Sequence, residues 1–270
     1  MNEQEEIECD AVVFAIGITA AQRLVSSCPP LAAAPHTSRW NRLRGVTCVA
    51  IRLFFQPSSS SSSLLPPGIA EAMTDSPVAV CGPRVGGIPE LAETGFCIYD
   101  LQRLQDEFAV TVNSTCAALE VDFYRANDIA AMADDAQVAK LALQAVSAAL
   151  QIGPIDPDLL MDASVVRARN AVSHFCVDSA SGSPPVKVAK GMYMCGDWID
   201  RTGHASWSTE KAVVTGRQAA SAIATDFGID CDACVIPAAA DTAQLAALRK
   251  VARVVRSVTP KRTLPRAPWV

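Results

Sequence analysis

The chain has 270 residues and a mass of 28.5 kDa, with half its residues apolar and 19% charged. That is enough to bury a core in one large domain or two ordinary ones, and it excludes a wholly disordered chain. The net charge of −5 argues against nucleic acid as the main partner, because phosphate binding needs a basic surface.

Ten cysteines are too sparse for a disulfide scaffold, and the acidic run Glu3, Glu5, Glu6, Glu8, Asp10 after Met1 is unlike a secretory signal. Reduced thiols are the default. The apolar stretch Ala11 to Ala21 is too short to span a bilayer. Along the chain, Ala11 to Gly17 (AVVFAIG) precedes a helical pattern and predicts a buried strand entering an α/β layer. Val46 to Phe55 predicts a second strand. Six serines, Ser58 to Ser63, follow it within a loop over 57–68 that closes on Pro66-Pro67-Gly68.

Phe96 to Leu101, Ala117 to Tyr124 and Val165 to Val172 predict further strands. Before the last of these, Asp134 caps a helix with Val138, Leu141, Ala142, Ala145 and Ala149 on one face, closed by Gly153-Pro154. A final strand, Gly191 to Cys195, leads through Gly196-Asp197 to a helix over Ser208 to Thr225. Beyond Asp241 there is no acid, while Arg249, Lys250, Arg253, Arg256, Lys261, Arg262 and Arg266 carry seven positive charges. Leu245, Leu248, Ala252 and Val255 fall there at helical spacing, with Asp241 as N-cap and Pro260 as stop. This end reads either as a surface for an acidic protein or lipid, including peripheral membrane contact, or as a solvated helix with a loose tail.

The pattern predicts an α/β fold carrying an α+β insertion. A split α/β domain over 1–45 and 176–228 encloses a sheet-rich domain over 46–175, and 229–270 form the basic helix and tail.

The stretch that carries chemistry is Gly191 to Ala220 (GMYMCGDWIDRTGHASWSTEKAVVTGRQAA). Gly196 ends a strand where a missing Cβ lets another molecule approach the backbone, and Asp197 puts a carboxylate at the carboxyl end, where α/β sheets bind ligands. The following helix offers unpaired N–H groups to an anion. Gly216, near Ala212, Ala219 and Ala220, lets that helix pack closely on the sheet. A nucleotide cofactor suits the unit, although many α/β units share these features.

This stretch resembles the C-terminal flavin-binding motif of the FAD-dependent amine oxidase and carotenoid desaturase superfamily. Cys195-Gly196-Asp197, Glu210-Lys211-Ala212, Thr215-Gly216 and Ala219-Ala220 match the family's Ala-Gly-Asp strand exit and its Glu-Gly-Ala…Ser-Gly…Ala-Ala helix. DAVVFAIG resembles the family strand that returns to the FAD domain, and GFCIYDLQRL, LEVDFYRAND and VVRARNAVSHF resemble the substrate domain of a desaturase-like branch found in plastids. The resemblance implies part of a Rossmann-like FAD-binding domain with an inserted substrate domain, FAD as cofactor, and a plastid location. By it, Asp197 hydrogen-bonds the ribityl or pyrophosphate portion, Gly196 and Gly216 allow close approach, and Ser208, Thr209 and Glu210 meet the flavin at the helix start. Trp198 resembles an aromatic that isoprenoid-oxidising members place beside the Gly-Asp pair; its alternative is a core tryptophan.

Two departures stand out. Lys211 replaces a glycine, and no Gly-x-Gly-x-x-Gly follows any predicted strand, Gly82, Gly86 and Gly87 not fitting it. The chain therefore reads as the C-terminal part of such an enzyme, completed by a missing N-terminal half or a partner chain. The strand Ala11 to Gly17 is then expected to leave an apolar face uncovered.

Other signals are weaker. Cys231 and Cys234 form a single Cys-x-x-Cys without the further ligands zinc needs, so a free-thiol or packing role is expected. His36 carries no signal; His174 reads as structural, and His204 with Ser206 or Ser208 lacks a nucleophile elbow. Asp156 and Asp158 around Pro157 predict a turn, not a calcium site. Three readings remain: a flavin oxidoreductase acting on a lipophilic isoprenoid or carotenoid-type substrate, a non-catalytic binding or regulatory remnant of one, and a zinc-stabilised interaction domain. No catalytic residue is identified.

Overall fold

A computed structural model describes residues 6–34, 37–41, 43–57, 64–109, 116–172, 182–199, 209–232 and 240–258. The serine run 58–63, His36, His174, His204, Ser206, Ser208, Cys234 and the tail cations Lys261, Arg262 and Arg266 lie outside the described residues. The chain divides into two compact units, Met1–Arg44 with Ser173–Val270, and Gly45–Val172.

The first unit opens with strand β1 (Val12–Phe14) and helices α1 (Ile18–Ser27), α2 (Pro29–Ala33) and α3 (Thr37–Trp40). The second contains β2 (Val46–Phe55), α4 (Pro67–Ala72), β3 (Val78–Cys81), β4 (Gly95–Asp100), α5 (Leu101–Leu104), β5 (Ala117–Tyr124), α6 (Asn127–Ala131), α7 (Asp135–Leu150) and β6 (Leu160–Val172). The chain returns to the first unit with β7 (Lys187–Ala189), β8 (Met192–Met194), α8 (Thr209–Phe227) and α9 (Ala243–Val258).

In the second unit an antiparallel sheet runs β3-β4-β5-β2-β6. The β2 sequence alternates because one face is fully buried: Val49, Ile51, Leu53 and Phe55 are inaccessible, while Cys48, Ala50, Arg52 and Phe54 on the other face are half-buried. Val138, Leu141, Ala142, Ala145 and Val146 of α7 share this core with Phe96, Ile98, Val121 and Phe123. Each large side chain buried there is worth about 1.5–3 kcal/mol.

Asp134 caps α7 as expected, its carboxylate accepting from the Ala136 N–H at 2.9 Å. The helix ends earlier than Gly153: Gln151 takes the left-handed conformation (φ 55°), and the Ile152 N–H returns to the Ser147 carbonyl at 3.1 Å. Asp156 makes the expected turn, accepting from the Asp158 N–H at 3.0 Å.

In the first unit β1 and β8 are parallel and β7 joins β8 antiparallel. A core forms from Ile18, Ala21, Val25, Leu31, Trp40, Leu43, Met194, Trp198 and Ile199. Strand β1 is less buried than a central strand and has the uncovered apolar side expected of it: among the described residues it has one ladder partner, and Val12 and Val13 are 40% and 42% exposed. Helix α8 buries Lys211, Thr215, Ala219 and Ala224. Near its end Asp226 accepts from the Tyr193 hydroxyl at 2.6 Å and pairs with Lys187.

The cap of α9 differs from expectation. Thr242 Oγ1 accepts from the Leu245 N–H at 3.3 Å, and Asp241 instead pairs with Arg249 at 2.9 Å, one helical turn further along than a cap can reach.

Candidate functional site

Parallel pairing puts the exits of β1 and β8 side by side at one end of the small sheet. Val12, Val13 and Phe14 pair with Met192, Tyr193 and Met194 in register, and the Cys195 N–H continues the ladder to the Phe14 carbonyl at 3.1 Å. The chain then turns on each side into Ala15-Ile16-Gly17 and Gly196-Asp197-Trp198. The Trp198 indole N–H donates to the Ile16 carbonyl at 2.8 Å and ties the two exits together. Its ring is 1% exposed and meets Trp40 edge-on at 6.2 Å. Trp198 is therefore a core tryptophan in this fold, with its only polar atom satisfied internally.

Gly196 is glycine for a conformational reason. Its φ is 139°, a region L-residues rarely enter, and a Cβ there would meet the Trp198 ring at 3.2 Å. The Thr215 hydroxyl, buried in α8, locks this turn: it accepts from the Gly196 N–H at 2.9 Å and lies within hydrogen-bond distance of the Lys211 carbonyl at 3.0 Å. In the sequence Thr215 is only part of the Thr215-Gly216 motif match. Its role depends on α8 lying across the β8 exit, which no spacing in the chain announces.

Asp197 is half-buried at the β8 exit, and Thr209 and Glu210 are exposed in the first turn of α8. Lys211, standing where the family pattern has glycine, is 1% exposed and faces the unit's interior. The close packing expected at Gly216 is absent: a Cβ there would meet nothing within 4 Å. The helix instead buries Lys211, Thr215 and Ala219, one turn apart, and reaches the β8 exit through the Thr215 hydroxyl. Ser208 lies outside the described residues, so the structure brings together Gly196, Asp197 and Trp198 at the strand exit and places Thr209, Glu210 and Gly216 on α8. Gly17, unremarked in the sequence, joins the first group: it is exposed, open on its Cα side, and starts α1 without a side-chain cap.

A second cluster lies on the half-buried face of the large sheet. Ala50, Asp122 and Cys97 sit abreast on β2, β5 and β4. The Tyr124 hydroxyl reaches Asp122 Oδ2 at 3.5 Å, while Asp122 Oδ1 is buried with no partner among the described residues. Burial, followed by the charge of Glu120, pushes the Asp122 carboxyl up to about 6. Burial likewise raises the Cys48 thiol to about 12, so it is no nucleophile at neutral pH.

Between about pH 4 and 6 the native state thus holds a proton at Asp122 that the unfolded chain has released, and stability falls as pH rises through that window. Asp122→Asn should melt above the parent beyond pH 6, with the difference closing toward pH 4. Thermal melts across that range check it, and a gap independent of pH would refute the assignment.

Among the described residues no cluster of three or more His, Cys, Asp or Glu side chains is arranged to hold a metal. Parallel strand exits carrying two glycines and a carboxylate, next to the start of a helix, form an α/β arrangement that suits a nucleotide cofactor. The match of its residues 1–224 to the flavin containing amine oxidoreductase model shows that the chain belongs to that family. The family implies FAD as the cofactor.

No characterised protein matches the sequence. Among solved structures, a protein from Exiguobacterium sp. 255-15 assigned as a protoporphyrinogen oxidase is similar at 11% identity and a TM-score of 0.45. That overlap is too loose to assign an activity. It covers 82% of this chain and 41% of the other, so the chain spans less than half the length of that protein.

Proposed function

We propose that this chain forms the part of an FAD-dependent oxidoreductase that holds the cofactor through the β8 exit, and that its second unit faces a lipophilic substrate of isoprenoid or carotenoid type. The observation that carries the cofactor reading is the tie between Trp198 and Ile16, which joins the strand exit that carries Asp197 to the one that leads into Gly17. The donor set suits the group: Asp197 and Glu210 carboxylates accept from ribose or ribityl hydroxyls, and the uncapped N–H groups after Gly17 suit a phosphate. When bound, the flavin supplies an acceptor for hydride or its equivalent from a C–H bond.

The chain's own part is orientation. Trp198 and Thr215 hold the Gly196 turn in one conformation, so Asp197 is placed before any ligand arrives, which lowers the ordering cost of binding. The substrate class rests on the resemblance of GFCIYDLQRL, LEVDFYRAND and VVRARNAVSHF to the desaturase-like branch, and a plastid location rests on the same ground. Activity on such a substrate belongs to the whole enzyme, with a further chain segment or partner supplying the dinucleotide loop.

The test is the visible spectrum of the purified chain after incubation with FAD and removal of unbound cofactor. A retained flavin band is expected, with Asp197→Ala weakening retention by about tenfold or more, the loss of a charged hydrogen-bond acceptor. Equal retention in the variant would remove Asp197 from the site. No retention by the parent would remove catalysis from this chain alone, pointing to a missing N-terminal half or to a non-catalytic remnant.

A further inference from the structure

Helix α9 lies beyond the residues the family model matches, and nothing in the cofactor reading uses it. Every described residue in it except Ala246 is exposed. The exposure includes Leu245, Leu248, Val251, Val254, Val255 and Val258, at 41% to 75%. Valines on a water-facing helix are poor helix formers and leave apolar area uncovered, so this composition has no advantage in solution.

The two kinds of side chain are separated around the axis. At roughly 100° per residue, those six positions and Ala252 fill an arc of about 180°. The described cations at 249, 250 and 253 fall within the opposite arc of about 100°, two of them at its borders with the apolar half. One polar residue, Gln244 in the first turn, interrupts the apolar arc.

We propose that α9 lies flat on an anionic lipid bilayer, its Leu and Val face in the headgroup boundary and its cations level with the lipid phosphates. An apolar arc spanning half the circumference matches half-immersion at a planar boundary; the seam of a helix seated on a protein partner is narrower. Border cations on long stems reach the headgroup layer while their methylenes stay with the acyl chains. The charge is complementary only to an anionic surface, because from Thr242 onward the sequence holds seven cations and no acid. No helix among the described residues is long and apolar enough to cross a membrane, so α9 lies on the surface instead of spanning it.

Vesicle flotation of the full chain tests this, since aggregated protein stays at the bottom of the gradient while bound protein rises. Phosphatidylcholine–phosphatidylserine vesicles should carry the chain upward and phosphatidylcholine alone should not. Each cation lost should weaken partitioning about fivefold at low salt, so the triple variant Arg249→Glu, Lys250→Glu, Arg253→Glu should remain at the bottom. Leu248→Gln with Val251→Gln and Val255→Gln should do the same. Because these positions lie outside both cores, both variants should keep the parent's melting curve.

Equal flotation with neutral lipid, or flotation that survives both variants, would overturn the proposal. So would a chain that ignores lipid but dimerises through the same residues, which would make α9 an interface between copies.

Discussion

Trp198→Ala should destabilise the first unit by about 3–5 kcal/mol, a large share of the 5–15 kcal/mol that holds a typical domain together. Three losses combine. The ring is buried beyond 98% and its removal leaves a cavity beside Trp40; the edge-on aromatic contact disappears; and the Ile16 carbonyl loses its donor. Trp198→Phe separates them, because it keeps most of the packing and removes the hydrogen bond, and should cost about 1–2 kcal/mol. Urea unfolding followed by tryptophan emission measures both. The same variants report on the cofactor: if the tie positions Asp197, flavin retention should fall with Trp198→Phe even under conditions where that variant remains folded. A Trp198→Ala protein that unfolds like the parent would show that the ring does not occupy the core.

Gly196→Ala should come next, at about 1–3 kcal/mol from the unfavourable φ of 139°, with a further penalty as the new methyl meets the Trp198 ring at 3.2 Å. The ring cannot step aside easily, because its N–H is held by Ile16 and its edge by Trp40. The turn would have to shift and carry Asp197 with it, so loss of flavin retention should accompany the loss of stability. Gly216→Ala is the informative contrast. Gly216 is helical and its Cα faces open space, so alanine there should stabilise the chain by about 0.5–1 kcal/mol. If Gly216 is nevertheless a point of close cofactor approach, Gly216→Ala should lose flavin while gaining stability, an outcome no purely structural role produces. Comparable losses of stability at both glycines would contradict the packing described for α8.

Much of the second unit was legible because its strands are long and one-sided. Val46 to Phe55 alternates between a buried and a half-buried face along its whole length, Ala117 to Tyr124 does so from Leu119 onward, and the β-branched and aromatic runs match both strands residue for residue. The strand ending at Val172 begins at Leu160, five residues before the expectation. Its early part, with Met161, Asp162 and Ser164, lacks the continuous β-branched signal. Strands β3 and β7 went unseen: at four and three residues they are too short for periodicity to register. The end of α7 was misplaced because Gln151 takes a left-handed conformation usually reserved for glycine or asparagine. The cap of α9 was misplaced because two capping residues, Asp241 and Thr242, stand side by side and only the backbone decides between them.

At the candidate site the motif Gly196-Asp197 and the helix beyond it could be read directly, since the glycine and the carboxylate are local requirements of a strand exit. What Trp198 does could not: core and cofactor-facing tryptophans have the same sequence signature, and the choice is made by Ile16 and Trp40, which lie about 180 and 158 positions away in the chain. Thr215 and the Asp122 cluster are of the same kind. The elements written in the chain are those whose signal is local: hydrophobic period, capping residues, the glycine that a positive φ demands, and the one-sided charge of α9. Which side chains face one another across strands and helices is set by the folded chain, because burial, unsatisfied oxygens and shifted proton affinities are properties of neighbours brought together from far apart.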